Sequence, residues 1–152
     1  MEIRPARPEE AALLTDLALR AKAYWGYDEA FMAACREELA MDADVIERSA
    51  TVVAEEGGRV LGFVSLSATP PTGSMDMLFV EPASMGRGVG RALFERARDR
   101  AVALGLRRFT IASDPNAEPF YLAMGATRIG SVRSGSIPGR ELPLLVLEPA
   151  RS

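Results

Sequence analysis

Three glycines in alternation, Gly86, Gly88 and Gly90, follow an apolar run that ends at Glu81-Pro82 and open a stretch with helical periodicity. Glycine lets the main chain come close to a ligand, and a helix start leaves several N–H groups without intrahelical acceptors. Together with the positive end of the helix dipole, those amides make a site for a phosphate or diphosphate. Other residue types narrow the chemistry. The chain has no histidine and a single cysteine, Cys35. A serine or cysteine hydrolase with a histidine base is therefore excluded, and the usual ligands of zinc are missing. No metal site is expected, although oxygen ligands for magnesium stay open. Any general base must be a carboxylate, a tyrosine, a terminus or water.

The wider composition is that of an ordinary globular protein. In 152 residues the apolar fraction is 48% and the net charge is −3, enough chain for one hydrophobic core. A slightly acidic balance lacks the basic footprint of nucleic-acid binding. No apolar run reaches membrane-spanning length and MEIRPARPEE has no signal-like apolar region, so neither a membrane nor an export route is expected. One cysteine suits a reducing cytoplasm. Cys35 lies at helical spacing with Phe31 and Leu39 and reads as a small core residue.

Turn and capping signals divide the chain into elements that could position the glycine loop. Ile3–Pro5 reads as a strand. Pro8, Glu9 and Glu10 open a helix with Leu13, Leu17 and Ala21 along one face. Asp28 caps a second helix carrying Phe31, Ala34, Cys35 and Leu39. Strands Thr51–Glu55 and Val60–Leu66 flank Glu56-Gly57-Gly58-Arg59, a hairpin signal. Pro70-Pro71-Thr72-Gly73 turns into strand Ser74–Val80. The helix after the glycines shows the stripe Val89, Leu93, Ala97, Ala101 and Leu104, closed by Gly105. Strand Arg108–Ala112, a short helix Pro119–Met124 ended by Gly125, and strands Thr127–Val132 and Leu142–Leu147 follow. The order predicts an α/β (α+β) fold: one domain over residues 1–152, with a central mixed, mostly antiparallel sheet flanked by helices.

Three phosphate-bearing ligands compete for the loop. A Walker-type site needs Gly-Lys-Ser/Thr, but Gly90 is followed by Arg91-Ala92. A dinucleotide fold wants G-x-G-x-x-G after a first strand, whereas G-x-G-x-G here lies mid-chain after hairpins. Asp114, downstream at the distance of a ribose contact, is discounted with that reading. Coenzyme A fits better, since its diphosphate suits the helix-start amides and its extended arm can pair with a strand edge.

Residues Met85–Gly90, strand Met75–Val80 and Asn116-Ala117-Glu118-Pro119-Phe120-Tyr121 together resemble the GNAT acetyltransferase superfamily, over roughly residues 50–130. The family signature Gln/Arg-x-x-Gly-x-Gly/Ala falls on Met85 to Gly90, with Met85 departing from the usual Gln or Arg. The resemblance implies acetyl transfer from acetyl-CoA to an amine in a ternary complex. It places main-chain groups of Leu78, Phe79 and Val80 on the pantetheine arm. Met85, Gly86, Arg87, Gly88, Val89, Gly90 and Arg91 fall at the diphosphate, Asn116 and Phe120 beside the arm. Tyr121 falls at the general acid that protonates the departing thiolate. It also implies a homodimer as one possible assembly. A non-catalytic acyl-CoA sensor is the alternative, since Met85 departs from the signature and no strong base is visible.

The attacking amine must be neutral, and at pH 7 a lysine-like amine is so only about once in a few thousand. Asp76 interrupts the apolar run Met75–Val80 and is the expected base, directly or through water; the competing reading turns it to solvent. Tyr24, Trp25 and Tyr27 surround Gly26 between the two N-terminal helices. They are candidates for the wall of an amine pocket, including by cation–π contact, or for pins holding the helices to the sheet. Ser134–Arg140 is a second candidate rim. The expected partner is a small-molecule amine, such as an amino acid or a peptide N-terminus.

Overall fold

The structure, a computed structural model, describes residues 1–150. Its strands are β1 (Glu2–Pro5), β2 (Ala50–Glu56), β3 (Arg59–Thr69), β4 (Thr72–Val80), β5 (Arg108–Ala112), β6 (Thr127–Arg133) and β7 (Glu141–Leu147). Its helices are α1 (Ala11–Ala23), α2 (Glu29–Cys35), α3 (Ala43–Arg48), α4 (Val89–Ala103) and α5 (Glu118–Ala123). The seven strands form one sheet in the order β1-β2-β3-β4-β5-β7-β6. Every pairing is antiparallel except β4 with β5, as the expected mixed sheet requires.

Local chemistry accounts for most boundaries. Gly57 and Gly58 take φ of +59° and +79°, the pair of left-handed residues that a tight hairpin between β2 and β3 demands. Asp28 caps α2 by accepting from the Phe31 N–H at 2.8 Å.

Helix α3 was not expected. Only Ile46 of its six residues is buried, so no stripe announces it, although Asp42 caps it by accepting from the Val45 N–H. Two further expectations shift. The buried face of α1 includes the expected Leu17 and Ala21 together with Leu14 and Ala18, whereas the expected Leu13 is exposed. Helix α2 ends at Cys35, so Leu39 reaches the core from the following turn.

The sheet carries apolar clusters on both faces. Leu14, Leu17, Cys35, Val53 and Phe63 pack on the α1–α2 side. Val64, Leu66, Leu93, Phe94, Phe109 and Leu145 pack on the α4 side. Period-2 alternation explains how neighbours such as Phe63 and Val64 serve opposite clusters.

The decisive feature is where β4 and β5 part. They pair only through Thr72↔Arg108, Gly73↔Phe109 and Ser74↔Thr110. Beyond Ser74, β4 carries a bulge: Leu66 faces Met75 and Ser65 faces Met77, leaving Asp76 as the extra residue. A bulge bends its strand and increases the local twist. Strand β5 turns instead to β7, pairing Phe109 to Ala112 with Leu147 to Leu144. One edge of β4 is thus unpaired from Met75 onward, and a cleft opens beside it.

Candidate active site

A cavity of about 510 Å³ occupies that cleft. Leu78, Phe79 and Val80 line it from β4, where β3 covers one strand edge and leaves the other free to pair with an extended ligand.

At the start of α4, Met85, Gly86, Gly88, Val89, Gly90 and Arg91 also line the cavity. Gly86 and Gly88 adopt φ of +81° and +82°, a conformation that side chains rarely take. A methyl group built on either would meet nothing within 4 Å, so the chain bares its backbone to open space there. The first loop-to-helix amide with a main-chain acceptor is Ala92, which donates to the Gly88 carbonyl at 3.0 Å. The amides before it are those a diphosphate can take. Gly90 differs: it is helical, and an added methyl would make ordinary contacts with Phe120 and Val80 at 3.5–3.6 Å. Its smallness is compatible with alanine. Arg87 faces away from the lining, in an exposed ion pair with Glu56 at 2.7 Å.

Tyr121 and Phe120, on α5, form a cluster with Phe94; the two α5 rings meet edge-on at 5.3 Å. Tyr121 is 6% exposed and lines the cavity. Its hydroxyl has no hydrogen-bond partner among the described residues, yet no side-chain polar atom among them is both buried and unpaired. The hydroxyl is therefore open to the cavity. Burial, and secondarily the charge of Asp114, push this phenol well above its ordinary pKa and keep it protonated at neutral pH.

Asp76 lines the cavity but is exposed, and its carboxylate accepts from the hydroxyls of Ser67 and Ser74. Glu81 is engaged by Arg20. Of the three aromatics between α1 and α2, only Trp25 lines the cavity. Tyr24 meets Trp25 edge-on at 5.3 Å and is 55% exposed. Tyr27 stacks on Phe31 with ring centroids 3.9 Å apart.

Sequence reasoning missed the centre that Tyr27 joins. Its hydroxyl donates to Asp114 Oδ2 at 2.9 Å and accepts from Asn116 Nδ2 at 3.0 Å and Arg140 Nη2 at 2.8 Å. Lys22 Nζ donates to the same carboxylate oxygen at 2.5 Å. Asn116 donates twice to Asp114 Oδ1, from its main chain at 2.8 Å and its side chain at 3.0 Å. Burial alone would raise the Asp114 carboxyl, but Lys22, the Asn116 amide and Tyr27 outweigh it and hold the pKa below the usual value. Burial and the facing Asp114 raise the Tyr27 phenol. Cys35 is buried as expected, and it also lines the cavity, 3.5 Å from Ser136 Oγ. The signals were present but unconnected: a single lysine, an aspartate before Pro115, and an arginine closing a Gly/Ser-rich loop.

Comparison with known proteins agrees with this architecture. An acetyltransferase (GNAT) domain model matches residues 8–135. A mycothiol acetyltransferase of Streptosporangium roseum is 36% identical over 104 residues, covering 64% of this chain and 31% of that protein. The chain thus matches about a third of the length of that curated relative. A GCN5-related N-acetyltransferase from Rhodopseudomonas palustris superposes with a TM-score of 0.79 at 24% identity, over 97% of this chain and 94% of the other. The PaiA N-acetyltransferase of Thermoplasma acidophilum, in complex with coenzyme A, gives 0.79 at 16% identity over 97% and 98%. YncA of Salmonella typhimurium, a protein solved with acetyl-CoA, gives 0.69 at 23% identity over 100% and 95%. Among the described residues no helix is long and apolar enough to cross a membrane, and no group of side chains is arranged to hold a metal ion.

Proposed function

The chain belongs to the GNAT acetyltransferase family, and on that premise we propose that it transfers the acetyl group of acetyl-CoA to the amine of a small molecule, by direct attack in a ternary complex. The observation that carries this reading is one cavity shared by the bared amides of Gly86 and Gly88, the free edge of β4 and the open hydroxyl of Tyr121.

The residues present fit coenzyme A. The loop-to-helix amides and Arg91 would hold the diphosphate, the free edge of β4 at Leu78–Val80 would pair with the pantetheine arm, and Asn116 and Phe120 would flank it. When bound, acetyl-CoA supplies an acetyl group activated as a thioester. The chain's residues supply the rest. A fixed main-chain N–H on β4 stabilises charge growing on the carbonyl oxygen, worth roughly 3–4 kcal/mol. As the amine nitrogen bonds to the carbonyl carbon and the carbon–sulfur bond breaks, Tyr121 gives its hydroxyl proton to the sulfur. Asp76 takes the proton that the amine nitrogen sheds, directly or through water. Burial keeps the Tyr121 proton in place until the sulfur departs. Trp25 supplies an apolar wall on the amine side.

The test is incubation of the protein with acetyl-CoA, a panel of small amines and a thiol reagent. Free thiol should appear in step with acetylated amine. Tight binding of acetyl-CoA with no thiol release for any amine would assign the chain to the sensor class instead.

A further inference from the structure

Three cationic side chains line the cavity: Arg91, which belongs to the α4 cradle, and Lys22 and Arg140, which do not. Lys22 comes from α1 and Arg140 closes the connection between β6 and β7. Both converge on Asp114, so two positive charges share one negative charge. Their side chains are only 12% and 18% exposed, and that of Asp114 is 11% exposed. The carboxylate is already crowded. Five donors approach it, from Asn116 (two), Lys22, Tyr27 and Arg140, against about four lone-pair positions. Arg140 is the outermost, at 3.5 Å. Glu38 and Asp76, the other acids in the lining, make no ion pair with either cation among the described residues.

Arg140 is therefore held but not saturated. Its contacts to Tyr27 and Asp114 use one nitrogen, Nη2, while Nε and Nη1 have no acceptor among the described residues. Its guanidinium lies 4.8 Å from the Phe31 ring centre and 5.2 Å from that of Tyr27, against the stacked pair. A planar fork held by Tyr27 and Asp114 and packed beside the two rings, with free donors and an uncompensated charge, is the arrangement that binds a carboxylate in two-point fashion. The lining of the same cavity contains Trp25, Cys35 and Leu39, which suit an apolar body.

We propose that Arg140, backed by Lys22, binds a carboxylate carried by the acceptor itself, so that the amine acetylated is an amino acid with an apolar side chain. This rests on the acetyl-transfer reading above. The same cation pair could instead meet the 3′-phosphate of the cofactor, and the test separates the two anions.

The experiment compares kcat/KM for apolar amino acids, beginning with L-phenylalanine and L-methionine, against their carboxamides, in wild type and Arg140→Gln. Reading the acid-to-amide ratio across the two proteins cancels the different basicity of the amines. Loss of hydrogen bonds to a charged group predicts a fall in that ratio of about 10- to 100-fold. Arg140→Lys should recover part of it, because charge returns without the fork. Lys22→Met gives a second reading if Arg140→Gln folds poorly. The ratio of CoA to dephospho-CoA affinity should not change.

An acid-to-amide ratio that Arg140→Gln leaves unchanged, through equal loss on acids and amides, overturns the proposal. A change confined to the CoA to dephospho-CoA ratio assigns the cations to the cofactor and overturns it too. If no amine is acetylated, the transfer reading fails separately. Calorimetric binding of N-acetyl-L-phenylalanine then decides the carboxylate site: Arg140-dependent binding supports it, and absence of binding overturns it.

Discussion

Replacing Asp114 by asparagine preserves shape and removes one charge, which makes it a sharp probe of the centre that joins α1, β5 and the β6–β7 connection. The side chain can keep one carbonyl oxygen for the two Asn116 donors at 2.8 and 3.0 Å. The other oxygen becomes an NH₂ group facing Lys22, Tyr27 and Arg140, which now lack their acceptor. Lys22 alone loses a charge-assisted bond at 2.5 Å between groups that are 12% and 11% exposed. Such a bond contributes about 1.5–3 kcal/mol, and stranding a mostly buried charge costs about 3–5 kcal/mol. The remaining exposure and the reorientation of Lys22 towards water reduce that sum, so the expected loss at pH 7 is about 3 kcal/mol. For a domain of this size it corresponds to a fall in Tm of about 6–12 °C.

The pH dependence gives a second, independent check. The Asp114 carboxyl is held below its ordinary value in the folded state. Its contribution is therefore complete above the unfolded pKa near 4 and is lost as pH falls through the folded value. Thermal unfolding from pH 7 to pH 3 should show a wide gap between wild type and Asp114→Asn above about pH 5, closing below about pH 4. A change in Tm below 2 °C at pH 7, or a gap that persists unchanged at pH 3, would refute the reasoning.

Four further outcomes bear on the site. Tyr121→Phe should lower kcat by about 10²-fold or more while hardly moving Tm, because the hydroxyl has no partner to lose among the described residues; a loss under threefold removes Tyr121 from the proton path. With this phenol pushed above its ordinary value, the wild-type rate should show no falling limb below about pH 10, and a decline beginning at pH 8 would point to another acid. Gly88→Ala forces a side chain to φ of +82°, costing about 1–2 kcal/mol, and should weaken CoA binding at least tenfold, whereas Gly90→Ala should bind CoA within threefold of wild type; titration calorimetry decides, and equal effects would count against the cradle. Asp76→Asn should lower kcat by about tenfold or more, and an unaltered rate would assign amine deprotonation to desolvation alone.

The glycine-loop side of the cavity was legible because it is built from local rules. Alternating glycines, a strand before them and a helical stripe after them lie within one stretch of chain, and their geometry follows from backbone preference. The side lined by Trp25, Lys22 and Arg140 was not legible in the same way. Trp25 lines the cavity, but its neighbour Tyr27 serves the Asp114 centre and Tyr24 faces outward. Asp114 looked like a discarded ribose contact, and nothing in its sequence neighbourhood identified its partners. Helix α3 escaped for a simpler reason, since six residues with one buried side chain carry no period.

Taken alone, the amino-acid order determined the glycine cradle, the hairpins, the absence of histidine chemistry and the mixed sheet, because each depends on residues close in the chain or on residue types alone. Tertiary structure decided where β4 and β5 separate, and through that which distant side chains meet. Tyr27 and Arg140 lie 113 positions apart and Lys22 and Asp114 lie 92 apart, yet they form one hydrogen-bonded centre. Contacts of that separation depend on the bulge at Asp76 and the pairing of β5 with β7, which only the packed sheet specifies.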